Sequence, residues 1–249
     1  MKVGLCGFTV AMEAYAASFP VVEVQQTFYE PPSDITMRRW LAATPPGLEF
    51  TVKAWQLVTH PATSPTYRRL KRALAPDERS ECGGFRDSEI VREALARSLA
   101  CARVLSATAI LFQCPASFRP EGANVERLRA FFTRIANPIR PTGLRYLWEP
   151  RGPAWSVRAS LAGDLCKELE LVHVVDPFVT PPAGEGGAYY RLHGITGARH
   201  VYTDAELRRL VDMTPESAYV MFNNIPRVSD AKRFLQLLRH RAVHVSARG

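Results

Sequence analysis

Residues 143–155 read GLRYLWEPRGPAW. Counting by twos from Arg145 puts Leu147, Glu149 and Arg151 on one face of an extended segment, with Tyr146 and Trp148 on the other. The segment has an aromatic outer face and a charged inner face, and its last charges stand beside Pro150 and Gly152. It reads as a barrel strand that delivers polar side chains to a site at its tip.

Seven further strand-like runs surround this one: 2–8, 21–28, 49–55, 107–115, 171–177, 188–194 and 217–224. Each is nearly continuous in apolar residues and is followed by helix-like sequence, the pattern of parallel strands buried on both faces. Eight such units in 249 residues match a single (β/α)8 TIM-type barrel. We therefore expect one domain over residues 1–249. Ser33 or Asp34 is placed to cap a helix running to about Ala43. Residues 124–137 read as an amphipathic helix, Thr203 to Glu206 as a capping box, and 229–240 as the last helix. The exception is a long, largely helical excursion between the third and fourth strands. There helix-like residues 64–74 and 88–105 flank PDERSECGGFRDS, which reads either as a lid or as a surface excursion.

Composition bounds the rest. No run of about 18 apolar residues is present, so no membrane span and no membrane partner are expected. The chain enters its first strand without a charged-then-apolar leader. Cys6, Cys82, Cys101, Cys114 and Cys166 are scattered, odd in number and without a C-x-x-C pair, which argues against a zinc ribbon or a disulfide framework. A reducing cytoplasm is the expected compartment. Net charge is +8, with Arg far outnumbering Lys. Arg binds phosphates and carboxylates in bidentate fashion, so anionic small molecules or nucleic acid are the expected partners. An Arg-rich solvated surface is the competing reading, and the oligomeric state cannot be read.

Taking the parity that leaves apolar residues for the helices gives a polar inner set. It holds Glu23, Gln25 and Thr27 on strand two, Lys53 on strand three and Gln113 on strand four. Strand five adds Arg145, Glu149 and Arg151, strand seven Arg191 and His193, and strand eight Asn223. Asp176 ends strand six. Four cations against two carboxylates would leave the lumen positive, a balance an anionic ligand restores, because isolated buried charge costs several kcal/mol. The alternative is that some of these residues, Arg145 above all, lie near the bottom face and pair structurally.

The chain resembles the YecE-like family, domain of unknown function 72. The resemblance rests on VEVQQTFY (22–29), FTVKAWQLVTH (50–60), ILFQCPASF (110–118), WEPRGPAW (148–155), YYRLHG (189–194) with VYTDAEL (201–207), and YVMFNN (219–224). It covers nearly the whole chain and implies a TIM-type barrel with its site at the C-terminal strand ends. The motif after strand five departs from the family pattern: Glu149, Arg151 and Trp155 match it, but Gly152 stands where many members carry histidine. The resemblance brings no settled activity.

The residue chemistry points to an enzyme-like site, with Glu149, His193 and Glu23 as catalytic candidates. Glu149 and His193 would share acid–base work. Lys53, Arg151 and Arg191 would hold an anion, and Asn223, Gln113, His60, Tyr29 and Trp155 would contact substrate. Phe28, Tyr29, Trp55 and Trp155 are expected as exposed strand-tip aromatics, and His173 as core or helix-facing. No cofactor is expected. A divalent metal would have to share Glu23, Glu149, Asp176 and His193 with the cations, and no metal-binding motif is present. Three functions follow: a hydrolase or lyase acting on a phosphate-bearing substrate such as nucleic acid or a nucleotide derivative, a non-catalytic nucleic-acid-binding module, or a metal-independent sugar-phosphate isomerase or lyase.

Overall fold

A computed structural model describes residues 1–181 and 188–246. Eight parallel strands close into a barrel in sequence order. They are β1 (Lys2–Cys6), β2 (Val21–Val24), β3 (Glu49–Lys53), β4 (Ala109–Gln113), β5 (Arg145–Glu149), β6 (Val172–Val175), β7 (Tyr189–Leu192) and β8 (Tyr219–Phe222). The helices between them are α1 (Met12–Ala16), α2 (Gln26–Tyr29), α3 (Asp34–Ala42), α4 (Gln56–Thr59), α5 (Pro76–Glu81), α6 (Glu89–Val104), α7 (Gly122–Ala130), α8 (Pro153–Ser156), α9 (Ala159–Glu168), α10 (Asp204–Met213) and α11 (Arg227–Ser246). No helix among the described residues is long and apolar enough to cross a membrane. Ser33 caps α3 and Thr203 caps α10, the latter with Glu206 completing the box.

Alternation along the strands sorts side chains into two apolar clusters. Inward-facing Leu111, Leu147, Val174 and Met221 fill the lumen. Outward-facing Val22, Val52, Phe112 and Trp148 pack against the helices. Tyr15 of α1 ties the first two strands together: its hydroxyl accepts from Leu5 N and donates to Val21 O, both at 2.8 Å.

The strands are shorter than the sequence runs because several tips turn at once into one-turn helices. Val24 ends β2, so Gln25 and Thr27 are not strand residues, although Gln25 still reaches the inner polar set by donating its amide to Glu23 Oε1 at 2.5 Å. Thr27 is buried instead, with its hydroxyl accepting from Lys53 N at 3.2 Å. The 124–137 helix is also two pieces. After Ala130 the turn widens to a π-helix over Phe131–Ala136, which buries the neighbouring Phe131 and Phe132 together.

The excursion between β3 and β4 holds a 3-10 turn at Pro65–Arg69, then α5 and α6. Residues 83–85 are stitched to α4 through Gly83 N, Gly84 N and Phe85 N, which donate to Leu57 O, Thr59 O and Val58 O. These amides satisfy carbonyls that a four-residue helix leaves open. Phe85 is buried against Phe112, Phe118, Phe131 and Phe132, so this part of PDERSECGGFRDS is anchored in the core.

Candidate functional site

The C-terminal strand ends carry a connected chain of buried polar groups. Arg191 of β7 lies at its centre. Its Nε donates to both carboxylate oxygens of Glu23 at 3.1 Å, and its Nη2 donates to Oε1 at 2.8 Å. Its Nη1 donates to Glu149. Tyr189 donates its hydroxyl to Glu23 at 2.9 Å. Gln113 donates its amide to both Glu149 oxygens at 3.0 Å, while its Oε1 accepts from Lys53 Nζ at 2.8 Å. Glu149 is also 3.0 Å from His193 Nε2. The other ring nitrogen of His193 is 3.2 Å from the Asn223 amide. If that amide is the donor, His193 carries its proton on Nε2 and directs it at Glu149. Asp176 fixes the His193 backbone by accepting its N–H at 2.9 Å.

Depth corrects the charge balance read from the sequence. Arg145 shares the parity of Glu149 but sits at the opposite mouth, where its guanidinium lies over Tyr219 and 3.9 Å from Glu49. Arg151 lies past the strand end, with its side chain 46% exposed and 3.7 Å from Glu149. The buried cluster therefore holds Lys53 and Arg191 against Glu23 and Glu149, two charges of each sign. Among the described residues this buried cluster carries no surplus of positive charge, and Arg151 is a loosely held cation at its rim.

Proton affinities follow from this arrangement. Burial works to raise the Glu149 carboxyl, but Arg191, His193 and Arg151 outweigh it and hold Glu149 well below 4.5. Glu23 is lowered in the same way by Arg191 and Lys53 against burial. Lys53 is pushed down to about 8, first by burial and then by the neighbouring Arg191 charge; its ammonium sits 3.9 Å from the Phe28 ring centre. Burial drives His60 down to about 3, with Lys53 and Arg151 adding to it. His60 is thus neutral, packed edge-on against Phe28 and 2.8 Å from the Thr59 hydroxyl.

The expected aromatic tips are largely inside. Phe28 and Trp155 are buried; Trp155 packs edge-on against Trp148, and its indole N–H donates to Phe118 O. Tyr29 is half-buried under the Arg69 guanidinium. Among the described residues no three His, Cys, Asp or Glu side chains converge as a metal-ligand set.

A pocket of about 160 Å³ opens beside the polar chain. Glu149, Arg151, Asp176 and His193 line it together with Trp155 and His173. Sequence reasoning did not place His173 in a pocket: it faces outward, in register with Trp148, and a single histidine in an apolar run carries no sign of what lies beside it. Tyr189 was missed for a similar reason, since an aromatic in an apolar strand reads as core until Glu23 is found opposite its hydroxyl.

Comparisons with known proteins agree with this architecture. None of the curated proteins compared matches. Solved structures do: a DUF72 family protein from Enterococcus faecalis V583 is 19% identical with a TM-score of 0.68, over 96% of this chain and 95% of that one. A DUF72 family protein from Thermotoga maritima MSB8 is 21% identical with a TM-score of 0.66, over 96% and 98%. A D-psicose 3-epimerase solved in the presence of D-fructose shares the fold at 15% identity and a TM-score of 0.60, over 96% and 99%. Residues 9–248 match the profile described as "Protein of unknown function DUF72", and with that span all but a few residues of the chain belong to the DUF72 family.

Proposed function

We propose that the C-terminal face of this barrel is an acid–base site for a small phosphate-bearing substrate. The observation that carries this reading is the hydrogen bond between His193 and Glu149, set against a pocket wall and backed by the Arg191–Glu23 pair. A carboxylate held well below 4.5 is a weak base at neutral pH, but it orients an imidazole and stabilises the imidazolium formed on proton uptake. His193 therefore moves the proton through Nδ1 once a substrate group displaces the Asn223 amide, and Glu149 positions it. Arg151, exposed and loosely paired at the same mouth, receives the anionic group. Lys53 and Arg191 keep the two carboxylates ionised. This supports a hydrolase, lyase or isomerase acting on a sugar phosphate or nucleotide derivative.

The test is a thermal-shift screen of metal-stripped protein against inorganic phosphate, sugar phosphates, nucleotides and oligonucleotides, since a ligand selective for the folded state raises Tm. A shift with small phosphates that Arg151→Ala removes is the expected result. With a responding compound as substrate, His193→Gln and Glu149→Gln each lower kcat about 10²–10⁴-fold; unchanged turnover in both sinks the acid–base assignment. A second reading, a non-catalytic nucleic-acid-binding module, draws on the net charge of +8. A shift confined to oligonucleotides and abolished by added salt selects it.

A further inference from the structure

Two arginines that line no part of the pocket meet where the loop after α5 packs against α7. Gly83, Gly84 and Phe85 are consecutive left-handed residues, at φ +77, +60 and +57. For a phenylalanine that conformation costs on the order of 1–3 kcal/mol, and the buried contacts of Phe85 with Phe112, Phe118, Phe131 and Phe132 hold it in place. The turn delivers Arg86, whose Nη1 donates to Cys82 O at 3.3 Å and Gly83 O at 3.2 Å. From α7, Arg127 Nε donates to Ala123 O at 3.3 Å and its Nη2 to Asn124 Oδ1. Asn124 is buried and donates its amide to Arg119 O at 2.9 Å, which turns its oxygen toward Arg127. The Nη1 atoms of both arginines converge over Gly84, 3.4 and 4.0 Å from where a Cβ would stand.

Two guanidiniums held together repel, and no side chain balances this pair. Among the described residues their hydrogen bonds go only to backbone carbonyls and one amide oxygen. Burial lowers the proton affinity of Arg127 and the Arg86 charge lowers it further, with no carboxylate acting in the opposite sense. Arginines elsewhere on the surface are treated differently: Arg72, Arg92, Arg97, Arg129 and Arg140 each hold a carboxylate. The donors left over here are Arg86 Nε and Nη2 and Arg127 Nη1. Both side chains are half-buried, but these atoms are not, so an incoming anion reaches them.

The spare donors select the anion. Nε and Nη2 of one arginine form the fork that takes two oxygens side by side. A carboxylate is used up by that fork and leaves nothing for Arg127. A phosphate presents a further oxygen, which Arg127 Nη1 can take. Both guanidiniums are already fixed by bonds to the backbone or to Asn124, so little side-chain freedom is lost on binding.

We propose that Arg86 and Arg127 form a second anion site that takes a phosphate group, either free phosphate or a phosphate of a nucleic-acid strand. It does not depend on Arg151 and stands whether or not the pocket transfers protons.

The experiment uses Arg151→Ala protein, so that the anion contact of the pocket is removed. Inorganic phosphate is titrated by calorimetry, and a short fluorescein-labelled single-stranded oligodeoxynucleotide by fluorescence anisotropy at low salt. Both are repeated with Arg86→Gln/Arg127→Gln added, and with Arg38→Gln/Arg39→Gln, which removes two charges from exposed positions on α3. Loss of the Arg86–Arg127 pair weakens binding about 10-fold or more, the size expected when charge-assisted hydrogen bonds are removed, and the α3 control weakens it far less. Arg86→Lys keeps the charge and loses the fork, and it too weakens phosphate binding. Acetate does not displace phosphate. A pair-dependent loss confined to inorganic phosphate assigns the site to the free ion, and one confined to the oligonucleotide assigns it to a strand. A loss no greater than that of the α3 control with either probe, full binding by Arg86→Lys, competition by acetate as strong as by phosphate, or no binding of either probe overturns the proposal.

Discussion

Replacing Lys53 by methionine removes a cation that the barrel holds at a cost. The ammonium is buried, with Arg191 close enough to depress it further, and its affinity for a proton falls from the ordinary 10.5 to about 8. At roughly 1.4 kcal/mol per pH unit, keeping it charged at pH 7 costs about 3 kcal/mol of folding free energy. Against this, Gln113 Oε1 loses its donor and the seat over Phe28 is lost, each worth about 1 kcal/mol. Lys53→Met is thus expected to be more stable at pH 7 by about 1 kcal/mol, a rise in Tm of about 2–4 °C for a chain of this size. The pH dependence is the sharper signature. Between about 8 and 10.5 the unfolded chain binds the Lys53 proton and the folded chain does not, so wild-type stability rises with pH across that window. The penalty is fully present below pH 8 and gone above 10.5. Urea unfolding of both proteins from pH 7 to 10.5 should show the wild-type curve rising relative to the variant's, meeting it and then crossing it, until wild type is the more stable by about 2 kcal/mol once the penalty is gone. Parallel curves, or a variant less stable by 1 kcal/mol or more at pH 7, would refute the reasoning.

Arg191→Met strands Glu23 and Glu149 in the interior and should cost about 3–5 kcal/mol in urea unfolding; adding Glu23→Gln and Glu149→Gln should recover most of the loss. Glu149 is depressed below 4.5, so its contribution is complete above that pH and is lost as pH falls through the folded value. Glu149→Gln should accordingly flatten the acid limb of the stability curve. Gly83→Ala would put a Cβ 2.1 Å from His60 O at φ +77 and should cost more than about 2 kcal/mol. Gly47→Ala, also at positive φ but with nothing within 4 Å, should cost about 1 kcal/mol, reporting backbone strain alone.

The eight strands, their order and most of the polar cluster are legible in the chain because a strand's two-residue period survives as pattern. Glu149 could be assigned inward from its neighbours alone. Depth was legible only along a single strand: Arg145 opens β5 and Glu149 closes it, but which groups of other strands stand level with each is set by closure of the barrel. The abrupt tips were hidden as well, since Gln25 and Thr27 continue the alternation of β2 while the backbone has already turned into α2. Pairings across the barrel, such as Glu23 with Arg191, depend on which strand tips converge, and no local spacing encodes that.

The β6 ladder is thin. It pairs with β5 through two residues and with β7 through two, whereas β4 and β5 share five. A wall of the pocket hangs on this short strand, the one-turn α8 and the residues just after β6. The Glu23–Arg191–Glu149 chain is held by β2, β5 and β7. Inheritance can therefore treat the two separately. Substitutions confined to 152–156, 173–175 and 177–180 would reshape the pocket wall while Glu149, Arg191 and His193 stay in register, with Asp176 excepted because it holds the His193 backbone, so relatives whose pockets differ should carry their differences in this sector first.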